Sequence, residues 1–169
     1  MNQPHSLPPL IQVVGYAGSG KTTLLTRVVQ MLTNQGWNVG TIKHHPKSWE
    51  WDEPGKDTWR HRQAGAGPVA LVTGDRTVID WHKVQEPVAL LPFYRGMDLV
   101  LVEGFKQASH PKLVMVHREE DRELLDLSSI ITLVSSQPEQ WKKRGPCLHW
   151  DDVEKVAAMI VQEAGLDSK

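Results

Sequence analysis

Apolar positions along this chain switch repeatedly between two periods, and the switches mark its elements. Leu10-Ile11-Gln12-Val13-Val14 is a short β-branched run that predicts a strand, while Thr22 to Gln35 carries Leu25, Val28, Val29 and Leu32 at helical spacing. Gly36 suits a helix C-terminus, and Trp37 to Ile42 reads as a second strand. Lys43 to Gly55 follows neither period and holds Pro46 and Pro54, which predicts a long loop of the kind that often carries function. A short helix is expected from Asp57 to about Ala64, then a hairpin in which Pro68 to Val72 and Thr77 to Trp81 flank Gly74-Asp75. Glu86-Pro87 opens a further helix that Gly96 closes. Asp98 to Glu103 is almost wholly apolar between its two acids, as a parallel strand buried on both faces requires. Lys112 to Val116 and Ile130 to Val134 supply two more strands. The last helix is expected to begin at Asp151 or Asp152, with Glu154 placed for a capping box and Val153, Val156, Ala157, Ile160 and Val161 inward. This order predicts an α/β fold over residues 1–169 as a single domain: a mostly parallel sheet with helices on both faces and an antiparallel hairpin.

Composition narrows the classes of function. The 169 residues carry a net charge of −1, so no global basic field exists to hold nucleic acid or an acidic membrane face. A single cysteine, Cys147, excludes internal disulfides and any C-x-x-C site within one chain. The start, MNQPHSLPPL, lacks a signal-peptide pattern, and no stretch approaches the roughly 18 apolar residues of a membrane helix. A cytoplasmic, soluble protein is expected, with no membrane partner. Seven tryptophans outnumber two tyrosines and two phenylalanines. Three of them, Trp49, Trp51 and Trp59, fall in one polar stretch, where packing onto the body and a ligand or partner surface are equally good readings.

The chemistry enters between the first strand and the first helix. Gly15-Tyr16-Ala17-Gly18-Ser19-Gly20-Lys21-Thr22 fits G-x-x-x-x-G-K-[ST] at every fixed position, in the strand-loop-helix context that a phosphate-binding loop needs. Glycines at 15, 18 and 20 let successive N–H groups point inward, forming an anion nest with the helix N-terminus behind them. Lys21 would reach the β- and γ-phosphates, and the Thr22 hydroxyl is the expected Mg2+ ligand. The fold expected is therefore that of a P-loop NTPase.

Ligands of open parallel sheets lie beyond the carboxyl ends of the strands. Glu103 ends its strand and Asp98 begins it, so Glu103 is the acid placed to meet the magnesium, directly or through water. Asp98 reads as a strand-start or cap residue. Gly104 allows close backbone approach to the γ-phosphate. On the loop after the second strand, Asp57 or Asp52 would order the metal's water shell or the attacking water. Lys43, Lys56, Arg60 and Arg62 would serve a second phosphorylated ligand or remain solvated. His44, His45 and His61 invite a metal reading, but their spacing forms no tight chelate, and hydrogen bonds to phosphates suit them better. His117 to Asp126 mixes both charge signs and reads as a solvated helix or loop.

Together, GYAGSGKTT, TIKHH with the later EPGKD and RQAGA, and VEGFK at Val102 to Lys106 resemble the molybdopterin-guanine dinucleotide biosynthesis adapter family, protein B of that pathway. The resemblance covers residues 11 to 106 and implies a P-loop GTP-binding protein, usually dimeric, with weak GTPase activity. Its implied partner is the guanylyltransferase that joins GMP to molybdopterin, and molybdopterin itself is a possible ligand. By motif, Gly15 to Thr23 (Tyr16, Ala17, Ser19 and Thr23 included) would hold GTP. Glu103 would sit near Mg2+, and Lys43, His44, Gly55, Lys56 and Asp57 would line a switch-like loop. Lys21, Asp57 and Glu103 are the candidate catalytic residues. Two departures stand out: His45 is followed by Pro46-Lys47-Ser48-Trp49 where the family carries more histidine, and Tyr16 replaces the second lysine of related deviant-loop ATPases. No N-K-x-D names the base, and Ser135 and Ser136 are positional candidates for base contacts. The alternatives are a P-loop small-molecule kinase and a metallochaperone NTPase.

Overall fold

The structure, a computed structural model, describes residues 7–83 and 85–167. Residues 1–6 of the N-terminal stretch that lacks a signal pattern lie outside the described residues. Strand β1 spans Leu10–Val14, helix α1 Lys21–Asn34 and strand β2 Val39–Lys43. After them come α2 Asp57–Gln63, β3 Val69–Val72, β4 Thr77–Asp80 and α3 Pro87–Leu90. The chain continues through β5 Leu99–Glu103, β6 Lys112–Met115, β7 Ile130–Ser135 and β8 Cys147–His149 to α4 Val153–Glu163.

Six strands form one parallel sheet in the order β2-β5-β1-β6-β7-β8, and β3 pairs with β4 as a separate antiparallel hairpin. The fold class read from the sequence is the one observed. Apolar residues of β1, β5 and β6 are wholly buried because the sheet is covered on both faces. One face packs on α1 and α4, joining Leu24, Val28 and Leu32 to Val156, Ala157 and Ile160. The β1 strand neighbours β5 on one side and β6 on the other, so the chain diverges beside its carboxyl end, where such sheets leave a crevice.

By contacts, the chain divides into two compact units, residues 1–44 with 87–169, and residues 45–86. The second unit contains α2 and the β3–β4 hairpin. Its polar centre is Arg62, whose Nη1 donates to Glu50 at 2.8 Å and to Asp80 at 3.1 Å. Those bonds raise the guanidinium pKa further above its ordinary value. Trp49 in this unit is 83% exposed, whereas Trp51 and Trp59 are half-buried.

Three local expectations change. The helix opened at Pro87 is only one α turn before Leu91–Tyr94 tightens to a 3₁₀ turn, because Pro92 cannot supply the next helical N–H. No capping box forms at α4: its N-cap is Asp152, the third helical residue is Lys155, and the Asp152 carboxylate pairs with Lys155 at 2.5 Å. The three-residue β8 is too short to leave a period in the sequence. Among the described residues, no helix is long and apolar enough to cross a membrane.

Candidate nucleotide site

The loop leaves β1 at Gly15, a position only glycine fits. A Cβ there would lie 2.7 Å from Ser19 Oγ and 2.9 Å from Met115 Cβ. Gly20 is the N-cap of α1 at φ 82°, with no side-chain cap and no acid in the first turn. The helix therefore presents its positive end and its first N–H groups to the loop rather than to a carboxylate of its own. Lys21 folds back over this hollow, donating to the Tyr16 carbonyl at 2.6 Å and to Ser19 Oγ at 3.4 Å. Its pKa is held below the ordinary lysine value, first by burial, with Lys106 and Lys43 adding to the effect and Glu103 opposing it.

Sheet register carries the second half of the site to the first. Glu103 is paired with Val13 of β1 and with Lys43 of β2, so three strand ends meet beside the loop. Thr22 Oγ1 donates to Glu103 at 2.9 and 2.8 Å, and Lys43 Nζ lies 3.3 Å from both Thr22 Oγ1 and Glu103 Oε2. A hydroxyl and a carboxylate side by side form the hard oxygen donor set that Mg2+ prefers, so the residues present fit that ion. Below them, buried Gln12 donates through Nε2 to the carbonyls of Gly104 and Phe105 at 3.0 and 2.8 Å. Gly104 lies at φ 100°, and a Cβ on it would sit 2.9 Å from His44 Cβ. The His44 ring packs against Phe105 at a 40° tilt, with centroids 4.4 Å apart.

On the other flank, a cleft of about 430 Å³ runs from Gly18, Ser19 and Thr23 to His117, Ser136 and Trp150. His117 was read as part of a solvated stretch, yet its Nε2 donates to the Ser19 carbonyl at 3.0 Å, with Nδ1 3.3 Å from Ser136 Oγ. Asp121 fixes this corner by accepting the backbone N–H groups of His117 and Arg118 at 2.6 and 2.9 Å. Trp150 covers Gly20: a Cβ there would be 3.2 Å from its ring. Of the two serines named for base contacts, Ser135 is fully buried and its Oγ accepts the Gln137 N–H, so only Ser136 lines the cleft. Spacing gave no sign of His117 or Trp150, because both arrive at the loop through sheet order.

The structure thus brings Gly15 to Thr23, Lys43, His44 and Glu103 together. Gly55, Lys56 and Asp57 belong to the second unit. Gly55, at φ 90°, turns the chain within the bend closed by Lys56 N–H to the Glu53 carbonyl, and Asp57 begins α2. Asp52 accepts from the Thr58 hydroxyl at 3.0 Å, and Arg62 is spent on Glu50 and Asp80 rather than held for a ligand. Asp98 accepts the Asn38 N–H at 2.8 Å, the strand-start role expected of it. His45 bonds with the backbone of Lys47. Among the described residues, no group of three or more His, Cys, Asp or Glu is placed to hold a metal ion.

The family model described as molybdopterin guanine dinucleotide synthesis protein B, MobB, matches residues 10–136. The chain belongs to the MobB family. Its phosphate loop, Glu103 and the His117 corner all lie inside the matched region. A probable molybdopterin-guanine dinucleotide biosynthesis adapter protein of Bacillus subtilis is 32% identical over 163 residues, covering 93% of this chain and 94% of that one. The corresponding adapter of Haemophilus influenzae is 37% identical over 133 residues, covering 76% and 74%. The crystal structure of Bacillus subtilis MobB superposes with a TM-score of 0.75 at 30% identity, covering 95% of this chain and 99% of that one. HypB from Helicobacter pylori, solved in complex with nickel, shares the fold at 13% identity with a TM-score of 0.54. These MobB and HypB likenesses agree with the P-loop NTPase architecture read from the motif.

Proposed function

We propose that this protein is a GTP-binding adapter of molybdenum cofactor biosynthesis, assisting the conversion of molybdopterin to molybdopterin guanine dinucleotide. The observation that carries the reading is the meeting of Thr22, Glu103 and Lys43 at the mouth of an uncapped, glycine-turned helix N-terminus, in a chain of the MobB family. The relatives' printed names supply the pathway.

In this reading the loop N–H groups and Lys21 bind the triphosphate, and Thr22 and Glu103 would hold Mg2+, which would supply positive charge against the phosphates. The nucleoside lies in the cleft under His117, Ser136 and Trp150, where an aromatic wall and hydroxyl and imidazole groups suit a purine. Hydrolysis is slow. The working protein is a cytoplasmic homodimer that acts on the guanylyltransferase, and molybdopterin, which carries a phosphate, is a candidate ligand of the same rim.

Calorimetric titration with GTP and with ATP in magnesium buffer, with and without molybdopterin, tests this. GTP-selective, magnesium-dependent binding strengthened by the pterin is the expected result. Equal or tighter ATP binding sinks the guanine assignment and favours the kinase reading.

A further inference from the structure

Lys106 lies three residues beyond Glu103, and the roles assigned above do not use it. Its Nζ sits 4.3 Å from the centroid of the Tyr16 ring, the second residue of the phosphate loop. That ring is pinned at both ends. The Tyr16 carbonyl accepts from Lys21 Nζ, and its hydroxyl donates to Glu123 at 2.9 Å. The bond to Glu123 also raises the phenol pKa, so the ring stays neutral. The backbone leading to Lys106 is fixed as well: Gln12 holds the Gly104 and Phe105 carbonyls, and Phe105 adopts φ 55° while its ring packs at a tilt against His44.

A cation on an aromatic face is held without being neutralised, because the ring offers a quadrupole and no net charge. Among the described residues Lys106 forms no ion pair, in contrast to Lys43, which shares Glu103. Its charge reaches Lys21, whose pKa it helps to depress. Two ammonium groups therefore sit close to one loop, with Glu103 already shared by Thr22 and Lys43. Lys106 is not among the residues lining the nucleoside cleft, although the Tyr16 ring it rests on is.

We propose that Lys106 is a phosphate-binding residue that contacts the terminal phosphate of a nucleoside triphosphate, held ready over the loop by the Tyr16 ring. The inference rests on the reading of this loop as a nucleotide site. A lysine resting on a ring can leave it at small cost, whereas a terminal phosphate, which carries up to two negative charges, offers it a full charge-assisted bond. A diphosphate lacks that group, so Lys106 separates GTP from GDP.

The test is the affinity for GTP and for GDP, measured by calorimetry in magnesium buffer, of the wild type, K106M, K106R and Y16L, with circular dichroism to show that each is folded. K106M is expected to lose about tenfold or more in GTP affinity while its GDP affinity stays within about twofold. K106R should recover most of the loss, and Y16L should show part of it. Wild-type GTP affinity in K106M overturns the proposal, as does an equal loss for GTP and GDP, which would mark a diffuse field effect. A wild type that binds neither nucleotide overturns the nucleotide reading itself, and this inference with it.

Discussion

The hydroxyl of Thr22 and the carboxylate of Glu103 are 81 residues apart in the chain and 2.8 Å apart in space. Nothing local joins them: Thr22 opens a helix after β1, and Glu103 closes the neighbouring β5. Parallel pairing in register brings both to the carboxyl end of the sheet. Replacing Glu103 by Gln keeps an oxygen for the Thr22 hydroxyl but removes the charge that a divalent cation needs. GTP affinity in magnesium is expected to fall about tenfold or more, about 1.4 kcal/mol, and to change little in chelator. Calorimetry in the two buffers checks this, and an equal change in both would remove Glu103 from the metal.

Lys21 makes a pH-dependent prediction. Its pKa is lowered in the folded chain, so the free protein begins to lose this proton below the ordinary lysine range. Its charge costs stability at lower pH, and that cost is relieved as pH rises from the folded pKa toward the unfolded value. A bound phosphate would oppose the loss and raise the pKa again. Nucleotide binding at alkaline pH, below the ordinary lysine range, should therefore take up protons, an effect that fades toward neutrality. Titrations in buffers of different ionisation enthalpy measure the uptake, and Lys21→Ala should abolish it.

Gly40 predicts a purely structural defect. A Cβ at this position of β2 would stand 2.3 Å from Tyr94 Cδ1, while the Tyr94 hydroxyl donates to the Thr41 carbonyl at 2.7 Å. Gly40→Ala must displace a ring anchored at its far end, which should cost about 1–3 kcal/mol. Urea unfolding should show the loss, and a smaller cost of the same change in a Tyr94→Ala background would confirm the clash.

Cys147 is half-buried in β8, and burial raises its thiol pKa from 9.0 to about 11. The thiol is therefore inert at neutral pH, since the thiolate is the nucleophile. Alkylation of the native protein should stay slow through pH 9 and accelerate only toward about 11, whereas the unfolded chain should react near the ordinary value. Because the folded pKa is the higher one, its contribution to stability is complete below pH 9 and declines above it.

The sequence alone determined the elements whose signals are local. A phosphate loop is a run of consecutive residues whose glycines are demanded by backbone geometry, so Gly15 to Thr22 was legible without a fold. The apolar run before Glu103 likewise announced a strand buried on both faces and placed its terminal acid on the carboxyl rim of the sheet. Tertiary structure decided which distant residues share that rim. The order β2-β5-β1-β6-β7-β8 brought Lys43 to Glu103, His117 to Ser19 and Trp150 to Gly20. It also fixed the fates of the polar residues: Arg62 was consumed by Glu50 and Asp80, and Lys106 was left on the ring of Tyr16. The physical reason is that periodicity and turn chemistry depend on a few neighbouring residues. Which charge meets which depends on strand order and register, set by burial of the whole sheet.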